Sequence, residues 1–169
     1  MTAFVALLRA VNVGGRKLVM TDLKRIADEA GLRNARTFIA SGNLVFACDQ
    51  GEAAVTRLLK TQLKAHMSAE VPIFVRTAAE MAQVAKANPF AEEPGAKVAA
   101  IFLESAPPAR TIEETRGIVD ERLALGVREI YVHYPSGSTS KMRLPPKLVG
   151  TARNMNTVAK LAELAKEVE

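Results

Sequence analysis

Between Phe4 and Arg76 the chain passes through six short segments whose apolar spacing switches between two periods, and that order restricts the fold most. "FVALL" (Phe4 to Leu8) is almost wholly apolar and runs into a Gly-containing loop, the pattern of a buried strand. From Asp22 the apolar residues fall at Leu23, Ile26, Ala27 and Ala30, one face of a helix, and Gly31 stands where a left-handed C-terminal residue is wanted. "ARTFIA" and "LVFAC" are two strand-like runs joined by "SGN", whose Gly and Asn suit the positive φ of a hairpin turn. A second helix carries Val55, Leu58, Leu59 and Leu63 inward, and "VPIFVR" returns as a strand. Strand, helix, strand, strand, helix, strand is the ferredoxin-like unit.

The remainder reads as a second round of similar elements. Thr77 with Glu80 forms a capping box, and its helix places Met81, Val84 and Ala85 inward until Pro89, which cannot donate a backbone hydrogen bond. "FAEEPGA" reads as a linker and "KVAAIFL" as a strand. Thr111 with Glu114 offers another capping box, opening a helix expected to end near Gly126. "REIYVHY" alternates, with Ile130, Val132 and Tyr134 on one face and Glu129, Tyr131 and His133 on the other. A loop "PSGSTSK", a segment "PPKLVG" and a last strand "TARNMN" follow. The closing helix carries Val158, Leu161, Ala162, Ala165 and Val168, with Asn156 or Thr157 expected as its N-cap. The expectation is an α+β fold of two ferredoxin-like (βαββαβ) halves packed together, with a C-terminal helix. Residues 1–89 form the first half and a connecting helix, 90–96 the linker, and 97–169 the second half and final helix. No repeat is visible residue by residue.

A chain of 169 residues buries roughly 70% of its unfolded surface and needs no disulfide or metal to fold. Aromatics make up only 5% of it, so the core must be aliphatic. The single cysteine, Cys48, lies in an apolar run and reads as a core thiol. The first residues lack the basic and apolar regions of a signal peptide, and "AFVALL" is too short to span a bilayer, so a cytoplasmic protein is expected, with no membrane partner. Net charge is +5 and unevenly placed. The first 40 residues hold Arg9, Arg16, Lys17, Lys24, Arg25, Arg33 and Arg36 against three acids, and residues 136–153 hold Lys141, Arg143, Lys147 and Arg153 with none. Two basic segments containing glycine attract anions if they meet; otherwise their cations are solvated.

Six stretches, "LLRAVNVGG", "RTFIASGNLVF", "VPIFVRT", "ANPF", "YVHYPSG" and "TARNMNTVAKL", resemble in order and spacing a bacterial family, the domain of unknown function numbered 1697. The resemblance covers essentially the full chain. It implies two ferredoxin-like halves and brings no established activity and no catalytic residues. Met155 stands where the motif's aromatic residue is expected, which removes a stacking role there.

The loop after the first strand is the first place to look for a ligand. Backbone N–H groups around Gly14 and Gly15 suit a concave anion site, with Arg9, Arg16 and Lys17 adding charge and Asn12 a polar side chain. The spacing matches neither G-x-x-x-x-G-K-[ST] nor G-x-G-x-x-G, no Ser or Thr follows Lys17 to hold magnesium, and Asp22 opposes an anion. Ser41 and Asn43 serve the hairpin turn and, on the functional reading, present polar groups beside that loop. Arg153 and Asn154, just before the last helix, have no such structural duty and join the set. The hydroxyl-rich "PSGSTSK" suits either an anion cradle or a solvated loop.

Other chemistry has little to stand on. No CxxC or HExxH spacing occurs, so no metal and no cofactor are expected. The pairs Glu92–Glu93, Glu113–Glu114 and Asp120–Glu121 read as solvated surface, and His133 beside Tyr131 reads equally as an acid–base pair or a packed strand face. Phe4 and Phe46 occupy strands that carry base-stacking aromatics in RNA-recognition domains, yet "GNLVFA" lacks their pattern. The residues thus favour binding of a small ligand bearing phosphate or carboxylate, and name no reaction, so whether the chain is an enzyme stays open. Binding of nucleic-acid backbone and a protein-interaction scaffold are the alternatives.

Overall fold

A computed structural model describes residues 1–12 and 17–169, apart from the Ser138 side chain. The fold is α+β, with two four-stranded antiparallel sheets and a C-terminal helix. It divides into two compact units, Met1–Ala82 with Lys160–Glu169, and Gln83–Ala159.

The first unit contains β1 (Thr2–Leu8), α1 (Met20–Glu29), β2 (Arg33–Thr37), β3 (Asn43–Cys48), α2 (Glu52–Met67) and β4 (Ile73–Thr77). The sheet order is β2-β3-β1-β4, compatible with the βαββαβ reading. Alternation along β1 puts Phe4, Ala6 and Leu8 in one core with Leu23 and Ile26 of α1, Phe46 of β3 and Leu59 and Leu63 of α2. Phe4 and Phe46 lie opposite each other and stack at 5.7 Å inside that core, out of reach of any base. Ala3, Val5 and Leu7 are buried too, so β1 has no wet face. Cys48 is part of the core, as expected.

At the β2–β3 turn, Leu8 donates its backbone N–H to the Gly42 carbonyl at 2.9 Å. Gly42 has φ +92°, and a Cβ there would lie 2.6 Å from Val11 Cγ2, so no other residue fits. The second positive φ of this turn belongs to Ile39 and not to Asn43, which already belongs to β3. Thr77 opens α3 (Ala78–Lys86) with the expected reciprocal box: its N–H donates to Glu80 Oε1 at 2.8 Å, and Glu80 N–H donates to its hydroxyl at 3.1 Å. The C-terminal residues belong to the first unit, where Arg36 pairs with Glu167 at 2.7 Å.

The second unit contains β5 (Val98–Leu103), α4 (Thr111–Glu114), β6 (Arg122–Leu125), β7 (Glu129–His133) and β8 (Gly150–Asn154), in the order β6-β7-β5-β8. The last strand leads into α5 (Met155–Glu167). Ile130 and Val132 pack with Ile101 and Leu103, while Glu129, Tyr131 and His133 occupy the other face, as the alternation predicts.

The helix expected from Thr111 to Gly126 is a single turn. Thr111 does not cap it: its hydroxyl donates back to the Pro108 carbonyl at 2.6 Å, and Glu114 makes no return bond. The chain then turns at Gly117, whose φ is +76° and whose absent Cβ would lie 2.5 Å from the Lys141 carbonyl oxygen. Arg116 and Arg143 exchange both backbone hydrogen bonds, at 2.9 and 2.7 Å. A tertiary ladder therefore takes the backbone groups that a helix would have used.

Candidate functional site

The residues expected to bind an anion are mostly occupied in holding the loops. Asn12, at φ +59°, donates through Nδ2 to the carbonyls of Leu18 (3.0 Å) and Ala40 (2.7 Å) and accepts from Leu18 N–H at 2.8 Å. It ties the ends of its own loop to the β2–β3 turn. Asn43 is fully buried and donates to the Phe38 carbonyl (2.9 Å) and to Ser41 Oγ (3.1 Å). The structure does bring Asn12, Ser41 and Asn43 together, around the turn they build. Arg9 and Lys17 are exposed; Gly14, Gly15 and Arg16 lie outside the described residues.

Arg153 and Asn154 have structural duties after all. Asn154, and neither Asn156 nor Thr157, caps α5: its Oδ1 accepts the Thr157 N–H at 2.9 Å. Arg153 is 6% exposed and donates to Thr151 Oγ1 at 2.6 Å and to the Ala152 carbonyl at 3.0 Å. Burial brings its guanidinium down to about 10, which leaves it charged at neutral pH.

The hydroxyl loop serves carboxylates. Ser136 donates to Asp120 Oδ2 at 2.6 Å, and Ser140 donates to Glu121 Oε2. Glu121 Oε1 also accepts the N–H groups of Val119 (2.9 Å) and Asp120 (3.0 Å). The Ser140 hydroxyl foremost, with these backbone donors, lowers Glu121 to about 2. This acid, read from the sequence as solvated, is a buried latch. Glu93 and His133 are likewise joined. His133 Nε2 faces Glu93 Oε2 at 3.5 Å and its Nδ1 faces Arg122 at 3.2 Å, while Arg122 lies 4.9 Å over the Phe90 ring. Tyr131 does not pair with His133. Its hydroxyl donates to the Val84 carbonyl at 2.9 Å, and burial, with Glu129, pushes it up to about 12.

Among the described residues a cleft of about 590 Å³ lies beside α4. Residues directly opposite in an antiparallel bridge project their side chains to the same side, about 5 Å apart at Cβ. Arg116 and Arg143 are such a pair, and both line this cleft. Like charges set directly opposite repel. Among the described residues neither guanidinium has a carboxylate partner. Leu144, Pro145 and Pro146 form an apolar side of the cleft, and Glu113 and Glu114 the rest of its lining. Arg143 is visible in the sequence as one of the cations of residues 136–153, but Arg116 is hidden inside the expected helix. Among the described residues no group of His, Cys, Asp and Glu is arranged to hold a metal, and no helix is long and apolar enough to cross a membrane.

The family described as "Protein of unknown function (DUF1697)" matches residues 1–131. The chain belongs to the DUF1697 family. The match takes in the cleft residues of α4 and Arg116, whereas Arg143 and the "TARNMNTVAKL" stretch lie beyond it. No curated protein matches this DUF1697 chain. Among solved structures it is similar to that of the conserved bacterial protein SP0830 from Streptococcus pneumoniae. The two are 22% identical, the likeness covers 98% of this chain and 99% of that one, and the TM-score is 0.80. At that identity the likeness establishes a shared fold.

Proposed function

We propose that this DUF1697 protein binds a small ligand through a phosphate or carboxylate group, held between Arg116 and Arg143. The observation that carries this reading is the placement of two arginines directly opposite each other on one bridge, both lining a cleft and neither ion-paired among the described residues. Arginine offers five N–H donors in a planar fork, so an anion there receives charge-assisted hydrogen bonds from both sides and relieves their repulsion. The exposed Arg9 and Lys17 offer a second surface for an anion, with Asn12, Ser41 and Asn43 holding the turn next to them in the chain's first unit. In the same reading each unit is a ferredoxin-like half, supported by the matching strand orders, and the protein is cytoplasmic, supported by its single buried thiol.

Titration calorimetry with inorganic phosphate and with acetate tests the reading. Arg116→Ala and Arg143→Ala each weaken binding about tenfold or more, the effect of losing one or two hydrogen bonds to a charged group. Loss of affinity in Arg9→Ala and Lys17→Ala alone moves the site to the first unit. Absence of anion binding, together with retardation of RNA or DNA that fades steeply with salt, replaces this reading with nucleic-acid binding.

A further inference from the structure

We infer that the ligand at Arg116 and Arg143 is a phosphate monoester whose organic part carries hydroxyl donors, the chemistry of a sugar phosphate; this rests on the anion reading above. Three features of the cleft set the class. The first is the arginine pair: Arg116 and Arg143 project from one bridge to the same side, and the three oxygens of a phosphate group can accept from both, more than a single carboxylate offers. The second is size. A bare phosphate leaves most of about 590 Å³ to water, and that volume lies within the roughly 300–1,000 Å³ of sites for organic ligands.

The third is the acidic part of the lining. Glu113 is paired with Arg110 at 3.3 Å, but Glu114 has no cationic partner among the described residues and lines the cleft with its carboxylate exposed. An ionised carboxylate only accepts hydrogen bonds, so it selects hydroxyl donors on the organic part and repels a second anionic group. Pro145 and Pro146 have φ fixed by their rings, so the part of the lining they form gives little on binding. The cleft thus combines two cations for an anionic group, a carboxylate for donors and an apolar surface.

Calorimetry with inorganic phosphate, ribose 5-phosphate, ribose and fructose 1,6-bisphosphate reads this directly. Ribose 5-phosphate is expected to bind about tenfold more tightly than inorganic phosphate, one charge-assisted hydrogen bond or two being worth that ratio. Fructose 1,6-bisphosphate is expected to bind less tightly than ribose 5-phosphate. In Glu114→Ala the preference for ribose 5-phosphate over inorganic phosphate falls to near unity. Equal affinity for ribose 5-phosphate and inorganic phosphate, with both lost in Arg116→Ala, overturns the sugar-phosphate inference and leaves the anion reading standing. A preference unchanged in Glu114→Ala overturns the role given to that carboxylate and with it the inference. If neither phosphate compound binds, both fall.

Discussion

Arg76 and Arg153 occupy corresponding places in the two sheets: each lies on the last strand of its unit, opposite Val5 of β1 or Ala100 of β5. Each also directly precedes the residue that caps the next helix, Thr77 in one case and Asn154 in the other. Both are nearly buried, at 1% and 6% exposure. The strand orders of the units correspond, β2-β3-β1-β4 against β6-β7-β5-β8, and the two arginines hold matching positions in them among dissimilar neighbours, "FVRTAAE" and "TARNMNT".

A buried arginine fills space with its stem and satisfies buried acceptors with its head, so truncation loses both. Arg76→Ala and Arg153→Ala are each expected to lower the unfolding free energy by about 2–4 kcal/mol, measured by urea denaturation. A change below about 0.5 kcal/mol is what an exposed side chain would give and contradicts the placement.

The helices of the first unit are legible because their apolar period is local, as with Leu23, Ile26 and Ala27 on α1, whereas β2 lies at Arg33–Thr37, earlier than "ARTFIA", with only Ala35 buried to mark it. The second was misread where a local signal competed with distant contacts. "TIEETRGIVDERL" has an N-terminal Thr, a Glu three residues on and apolar residues at helical spacing, yet Val119 is 88% exposed. The winning interactions join residues far apart in sequence: the Arg116–Arg143 bridge and the Ser140–Glu121 bond. No local period encodes them. The burial of Arg153 is likewise set by a distant contact. In the sequence it stands in a polar run, and only its register against Ala100 reveals that it is buried.

The two Thr-x-x-Glu motifs separate a formed capping box from one that is only written in the sequence. Glu80→Ala removes a bond to the Thr77 N–H, and Thr77→Ala one to the Glu80 N–H, each at an expected cost of about 1 kcal/mol. Glu114→Ala is expected to cost less than about 0.5 kcal/mol, because Glu114 returns no bond to Thr111 and is exposed. Parallel urea midpoints decide it, and equal losses at Glu80 and Glu114 would mean that α4 is capped in the way the motif suggests.

Acid should release the Glu121 latch. Its folded value of about 2 lies below the ordinary 4.5, so the stabilisation it provides is fully present above pH 4.5 and is lost as pH falls towards 2. Ser140→Ala removes the largest cause of the shift, and the Glu121 carboxyl should then titrate at a higher pH. Carbon-detected NMR titration of that carboxyl reads both effects, with the N–H groups of Val119 and Asp120 losing exchange protection over the same interval. Titration of Glu121 near 4.5 in the unaltered protein would show that the latch does not form in solution.

Gly117 offers the sharpest link between backbone geometry and the proposed site, because it touches no ligand and bears no polar side chain. Its φ of +76° is a left-handed conformation that costs alanine about 1–2 kcal/mol, and the added Cβ would meet the Lys141 carbonyl oxygen at 2.5 Å. Relief requires residues 116–117 and 141–143 to separate, which pulls Arg116 out of register with Arg143. Gly117→Ala is therefore expected to weaken inorganic phosphate about as much as Arg116→Ala does, while removing no donor. Gly51 serves as the control: its φ is −81° and nothing lies within 4 Å of its absent Cβ, so Gly51→Ala should leave phosphate affinity unchanged. Full phosphate affinity in folded Gly117→Ala would show that the alignment of the two arginines does not govern binding.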